Sequence, residues 1–262
     1  MEHSALASPA ALAAAHKGPT LALAALEGGG THEQPIAAQD AAARLAQGAV
    51  VVFHRLENTV APIARWVRAW EAALSLPGGS VVCAAFCAGA GQGMPKHCDP
   101  RELFVLQVAG TKVWEIEENS EVPYPIGNVF PPRTMSPELA SHVERPLSPE
   151  MGKGAQRGTL SPGSALYVPL GWWHRTEAAA DSVTLSFSAP RPRWADIALD
   201  ALRGILMQRA EWRAPAPLPE ALRSLEGKAM AQMRCAELEA LCSALSVDEL
   251  LSRAERGERR GR

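Results

Sequence analysis

The chain has 262 residues, 47% of them hydrophobic and 21% charged, which argues against wholesale disorder and allows one large domain or two small ones around a sizeable core. A net charge of −2 carries no direct nucleic-acid signal, and the five cysteines, odd in number and without a Cys-x-x-Cys pair, argue against a secreted disulfide framework and a zinc ribbon. No apolar run reaches the ~20 residues that span a bilayer, so a cytoplasmic protein with no membrane partner is expected.

Residues 1–35 are rich in Ala, Gly, Pro and Ser and contain no Trp, Tyr, Phe or Cys. They read as a poorly ordered extension with one short helix around Leu21–Leu26. The opening Met1-Glu2-His3 lacks the basic stretch of a signal peptide. Ala37–Gln47 reads as a short helix ended by Gly48, and Ala49–Phe53 as a buried strand rich in β-branched residues. Ala61–Leu76 places Ile63, Trp66, Val67, Trp70 and Leu74 at helical spacing, and Pro77-Gly78-Gly79 stops it.

From Ser80 to about Ala189 the texture changes to strands and turns. Expected strands are Val81–Cys87, Glu102–Val108, Lys112–Glu117, Val143–Pro146, Gly158–Leu160, Ala165–Val168 and Ser182–Ser188. Short strands separated by Gly/Pro turns suggest an antiparallel barrel or sandwich. Residues 119–156 carry seven prolines and read as a long inserted loop covering a site, with Tyr124 and Arg133 as candidate substrate contacts. After Pro192, helices are expected over Trp194–Arg209, Leu222–Leu245 and Val247–Arg253, with a break at Pro215, Pro217 and Pro219 and a basic tail at Arg256–Arg262. Cys235 and Cys242 read as small buried residues of the second helix. The resulting divisions are an extension (1–35), a catalytic domain (36–190) and a helical region (191–262).

Three features carry chemistry. His97-Cys98-Asp99, if extended, projects His97 and Asp99 to one side and Cys98 to the other. His174 follows a tight turn at Gly171-Trp172-Trp173. Two histidines and a carboxylate on one face, with open positions, form the ligand set of non-haem Fe(II) oxygenases, although a His-x-Asp tripeptide alone is common. The remaining histidines (His3, His16, His32, His54 and His142) read as surface or core, and Trp172 and Trp173 as core or wall. Lys112 lies with Trp114 and Ile116 on the apolar face of its strand, where an unpaired ammonium is costly. It can snorkel past a strand end or meet an anion inside a barrel. Ser182, Thr184 and Ser186 share one face of the last strand, either as carboxylate contacts or as a polar outer face.

The order of motifs resembles the JmjC-type cupin oxygenases, and within them the ribosomal-oxygenase-like branch of protein hydroxylases. The residues concerned are Gly93-Met94-Pro95-Lys96-His97-Cys98-Asp99, then Phe104, Gln107, Gly110, Lys112 and Trp114, then Leu160-x-Pro162-Gly163 through Leu166-Tyr167-x-Pro169-x-Gly171-Trp172-Trp173-His174. The resemblance covers roughly residues 35–210. It implies a mainly β fold with helices, a double-stranded β-helix (cupin/jelly-roll) core with N-terminal flanking helices and a C-terminal helical region. It further implies Fe(II) on His97, Asp99 and His174, with 2-oxoglutarate as cosubstrate and Lys112 on its remote carboxylate; Thr184 and Ser186 are further candidate contacts. The expected reaction consumes O2, hydroxylates a protein or peptide side chain and releases succinate and CO2. The alternatives are the same chemistry on a small molecule and a non-catalytic cupin scaffold. Only about 50 residues follow Pro215, fewer than the winged-helix domain usual in that branch requires. A homodimer is expected through the helical region, whose stripe Leu199, Leu202, Ile205 and Leu206 would otherwise be exposed.

Overall fold

The structure is a computed structural model and describes residues 6–25, 31–132, 137–140, 143 and 146–248. The chain forms two compact units, 1–191 and 192–262. In the first, chain order is α1 (Pro9–Ala15), β1 (Thr20–Ala25), β2 (Thr31–Ile36), α2 (Ala41–Ala46), β3 (Val50–Phe53), α3 (Ala61–Ala73), β4 (Val82–Ala88), β5 (Glu102–Ala109) and β6 (Lys112–Glu117). There follow α4 (Pro137–Ala140), β7 (Gln156–Leu160), β8 (Ala165–Val168), β9 (Trp173–Ala178) and β10 (Ser182–Ala189).

All strand pairs are antiparallel. A seven-stranded sheet runs β2-β1-β3-β4-β10-β5-β8, and a three-stranded sheet runs β7-β6-β9. The period of two along each strand divides the larger sheet into two different faces. On β4, Cys83, Ala85 and Cys87 join a core with Val51, Phe53, Val183, Leu185 and Phe187, capped by Leu12 of α1, Ala41 of α2 and Ile63 and Val67 of α3. Each of the large side chains sealed there contributes roughly 1.5–3 kcal/mol. The residues between them, Val82, Ala84 and Phe86 of β4 and Thr184, Ser186 and Ser188 of β10, line a cavity shared with Lys112 and Trp114 of β6 and His174 and Thr176 of β9. The cavity thus lies between the two sheets, as in a double-stranded β-helix. α3 is seated by its aromatic stripe: Trp70 stacks on Phe104 at 4.3 Å, and Glu71 accepts the Val81 N–H at 3.1 Å.

The N-terminal segment differs from expectation. The residues around Leu21–Leu26 begin in strand, not helix: Thr20–Leu23 pair with Val50–Phe53, and β1 carries β2 on its other edge. Ala and Leu favour helix locally, but pairing with an apolar neighbouring strand overrides that preference. The described part of the extension therefore belongs to the main sheet, with Leu6 and Leu12 in its core. β9 is a further strand that the sequence reading omits. Of the expected strand Val143–Pro146, residues 144 and 145 lie outside the described residues, and Val143 and Pro146 are not in strand.

The second unit contains α5 (Trp194–Leu206), α6 (Ala210–Arg213), α7 (Pro219–Leu222) and α8 (Leu225–Ala244). Ser224 caps α8 by accepting the Gly227 N–H at 3.0 Å. Trp212 donates to Glu237 at 3.1 Å, and Arg234 pairs with the same carboxylate at 2.8 Å. Cys235 and Cys242 are exposed rather than buried, because α8 leaves much of its surface open. Most of the expected Val247–Arg253 helix and the basic tail lie outside the described residues.

Candidate metal and anion site

The segment around His97 is held on both sides by backbone. His97 and His174 exchange two peptide hydrogen bonds, at 3.0 and 2.8 Å, and Cys98 exchanges two with Val129, at 3.1 and 3.0 Å. Alternation then sends His97 and Asp99 to one side. Cys98 faces away, into a small core with Val122, Val129, Leu147 and Trp173. Gly171 turns the chain into β9 at φ +80°, and its N–H donates to the Asp99 carbonyl at 2.9 Å. Gly93 passes so close to the Thr176 carbonyl that a Cβ there would collide with it.

These constraints bring His97, Asp99 and His174 together, with one ligand atom of each within 4.8 Å of the others. His174 Nε2 lies 3.5 Å from an Asp99 oxygen. The Nδ1 of His97 is 2.8 Å from the Pro95 carbonyl, and that of His174 is 3.1 Å from the Trp172 carbonyl. A carbonyl can only accept, so in the neutral form of each ring Nδ1 carries the proton and Nε2 presents the lone pair. Burial pushes the His97 pKa down to about 4, with His174 adding to the effect, so this ring is neutral at ordinary pH. Burial alone would raise the Asp99 carboxyl. The neighbouring His174, His97 and Arg101 outweigh it, and Asp99 sits below the usual carboxylate range. Two imidazole nitrogens and one carboxylate suit a divalent iron, with coordination positions left over. Phe130 stacks parallel to His97 at 4.7 Å, and Trp114 lies against His174 at 5.9 Å.

Lys112 lines the same cavity and is 3% exposed. Among the described residues, no carboxylate lies within ion-pair distance of it. Burial lowers its pKa to about 8, slightly opposed by Cys87. A buried ammonium facing an open cavity without a counter-ion fits an anionic ligand. Thr184 and Ser186 are on the cavity wall, not on an outer face. The Thr184 hydroxyl donates to Gln107 Oε1 at 2.8 Å, and Gln107 Nε2 in turn donates to the Ala109 carbonyl at 2.8 Å. Its proton is thereby committed, which leaves Ser186 and Lys112 as uncommitted donors.

Several residues that shape the site escape a sequence reading. Asn119, buried, donates to the Val122 and Gly171 carbonyls at 3.1 and 3.0 Å and to Cys98 Sγ at 3.4 Å, and accepts from the Glu121 and Val122 amides. Lys96, next to His97, pairs with Glu117 at 3.1 Å and lies over the Trp173 ring. His54, expected at the surface or in the core, lines the cavity. Of the 119–156 segment, Asn128 reaches the cavity and Phe130 touches His97. Tyr124 is 80% exposed and does not line the cavity, and Arg133 lies outside the described residues.

The JmjC domain family matches residues 61–197, over half the chain and including all three converging side chains. The chain belongs to the JmjC domain family. Among its relatives, the uncharacterized protein YxbC of Bacillus subtilis (strain 168) is 28% identical over 170 residues, covering 64% of this chain and 52% of YxbC. Ribosomal oxygenase 1 of Rattus norvegicus is 34% identical over 123 residues, covering 45% of this chain and 18% of that protein. In fold, the chain is similar to E. coli ycfD, with a TM-score of 0.54 and 17% identity, covering 93% of this chain and 62% of the other. A structure of that ribosomal oxygenase in complex with cobalt and 2-oxoglutarate gives a TM-score of 0.53 at 17% identity, over 89% of this chain and 59% of the other. The chain thus spans about half the length of YxbC and a smaller part of the ribosomal oxygenase 1 sequence. No helix among the described residues is long and apolar enough to cross a membrane.

Proposed function

We propose that this chain is an Fe(II)- and 2-oxoglutarate-dependent oxygenase that hydroxylates a protein or peptide side chain. The observation that carries this reading is one cavity lined both by His97, Asp99 and His174, with their converging ring-nitrogen and carboxylate atoms, and by the buried Lys112, which has no carboxylate partner among the described residues. His97, Asp99 and His174 would hold the metal. Lys112 would take the remote carboxylate of 2-oxoglutarate, with Ser186 as a second donor and Thr184 as a wall held in place by Gln107. Bound Fe(II), with 2-oxoglutarate and O2, supplies the oxidative decarboxylation that releases succinate and CO2 and drives substrate oxidation. The chain supplies position and dryness. The Pro95 and Trp172 carbonyls fix the two imidazole tautomers, and Phe130, Trp114 and Met94 wall the site against bulk water.

A protein or peptide substrate is supported by similarity to proteins named ribosomal oxygenases. We infer also that two copies pair through residues 192–262, where Leu199, Leu225 and Met233 are exposed. The test of the enzyme reading is succinate formation by the purified chain with Fe(II), 2-oxoglutarate and O2. It should depend on all three and disappear in His174→Ala and Asp99→Ala. Comparative mass spectrometry of lysates should reveal one added oxygen atom on peptides. Undiminished succinate formation by His174→Ala refutes the reading.

A further inference from the structure

The cavity has a volume of about 560 Å³ and extends well past the metal face. Its lining runs from β6 and β9 across β10 and β4 to β3 and the His54-Arg55 segment that follows. Among the described residues, the charged side chains along it are Lys112, Arg55, Arg101 and Asp99.

The inference rests on the oxygenase reading above, in which two of these charges are already engaged. Asp99 serves the metal, and Lys112 serves the remote carboxylate of the cosubstrate. The two positive charges of the ion and that of the lysine are then matched by Asp99 and the two carboxylates of 2-oxoglutarate. What remains is Arg55 and Arg101. Arg101 has no carboxylate within ion-pair distance among the described residues; its influence is felt at Asp99. Arg55 has only a loose partner. Glu57 is 3.9 Å away, and the other oxygen of that carboxylate accepts the Cys83 N–H at 3.0 Å. The Arg55 side chain is 55% exposed. Neither Glu57 nor Glu33, which acts on His54, lines the cavity.

Among the described residues, a lysine or arginine side chain entering this space meets two guanidinium groups and no free carboxylate. A carboxylate meets two planar forks of N–H donors that cannot lose their charge. We propose that the substrate of this cavity carries a carboxylate, held by Arg101 with Arg55 at the wall, and that cationic side chains are rejected.

The test is calorimetry on the full chain loaded with Mn(II) and 2-oxoglutarate in the absence of O2, so that no turnover occurs. The probes are capped pentapeptides, alike except for a central Glu, Gln or Lys, together with the free acid N-acetylglutamate amide and its glutamine counterpart. The Glu member of at least one pair should bind about tenfold or more tighter than its Gln isostere, as a charge-assisted contact requires, and the Lys peptide should bind more weakly than the Gln peptide. A preference in the peptide pair assigns an acidic residue in a chain, and a preference only in the free pair assigns a small acid. Arg101→Gln should collapse the Glu/Gln ratio, Arg101→Lys should retain part of it, and Arg55→Gln should reduce it. The ratio within one variant is informative even where absolute affinity falls. Equal affinities in both pairs, including none for any probe, overturn the proposal, as does a Lys peptide that binds most tightly. Binding of 2-oxoglutarate to the Mn(II)-loaded wild type is measured first. Its absence overturns the oxygenase reading and this inference with it, whereas its presence with a flat Glu/Gln ratio overturns this inference alone.

Discussion

Replacing Lys112 with methionine should make the empty protein more stable and weaken 2-oxoglutarate binding at the proposed site. Methionine is unbranched and of similar reach, so it fills the same channel without a charge. Burial lowers the lysine from 10.5 to about 8. At about 1.4 kcal/mol for each tenfold change in proton affinity, carrying the ammonium into the fold costs ~3 kcal/mol at neutral pH. The sign follows from proton counting. Between about pH 8 and 10.5 the unfolded lysine holds a proton that the native one has lost, so wild-type stability recovers as pH rises through that window. Below it the whole cost is present. Lys112→Met, free of metal and 2-oxoglutarate, should therefore melt higher by about 6–12 °C near pH 7.5, given ~2–4 °C per kcal/mol for a unit of this size, and its advantage should shrink toward pH 10.5. The same variant should bind 2-oxoglutarate roughly 10–100-fold more weakly, the loss expected for a charge-assisted contact. Thermal unfolding by circular dichroism at the two pH values, with and without 2-oxoglutarate and Mn(II), reads both effects. A variant that melts no higher than wild type and binds 2-oxoglutarate as tightly refutes the assignment of an uncompensated buried cation awaiting an anion.

Other outcomes follow from the same geometry. Asn119→Ala removes a side chain that ties the Cys98, Val122 and Gly171 segments together and should lower stability by about 2–4 kcal/mol in urea unfolding; a loss below ~0.5 kcal/mol counts against this role. Gly93→Ala should force the Thr176 backbone away and reduce both stability and metal affinity, seen by the same unfolding assay and by Co(II) absorbance titration, whereas wild-type behaviour would show that the close approach is unimportant. Sedimentation should show twice the chain mass at micromolar concentration, with Leu199→Glu shifting it to the monomer; a monomeric wild type sinks the pairing through the helical unit.

The candidate metal triad and Lys112 are legible because their residue types are expensive or rare where they stand. A lysine on an apolar face and a histidine after a Gly-Trp-Trp turn each violate what a bland core would use. β4, β5, β6 and β10 are legible because alternation or β-branched runs mark them. β1 is not. Its residues Thr20–Ala25 carry helix-favouring Ala and Leu, and only the partner strand Val50–Phe53 makes the extended form favourable. Asn119 is equally silent, since one asparagine in a turn is unremarkable until the distant Gly171 carbonyl comes within reach. The cavity charges Arg55 and Arg101 carry no motif either; they matter only because the fold places them on the same lining as Asp99.

The reciprocal backbone hydrogen bonds between His97 and His174 have a consequence for how the proposed site would take up its metal. Small zinc modules fold only when the ion arrives. Here the two imidazoles are clamped by backbone hydrogen bonds that need no ion, at 2.8–3.1 Å throughout. At the proposed metal site, folding and metal loading should therefore be separate events, and a chelated chain should stay folded and be refillable. The other side of that independence is permissiveness. A receptacle built in advance from two imidazoles and a carboxylate ranks divalent ions by intrinsic affinity, under which iron is among the weaker competitors. Which ion occupies the folded chain is then decided by the pool of free metal around it.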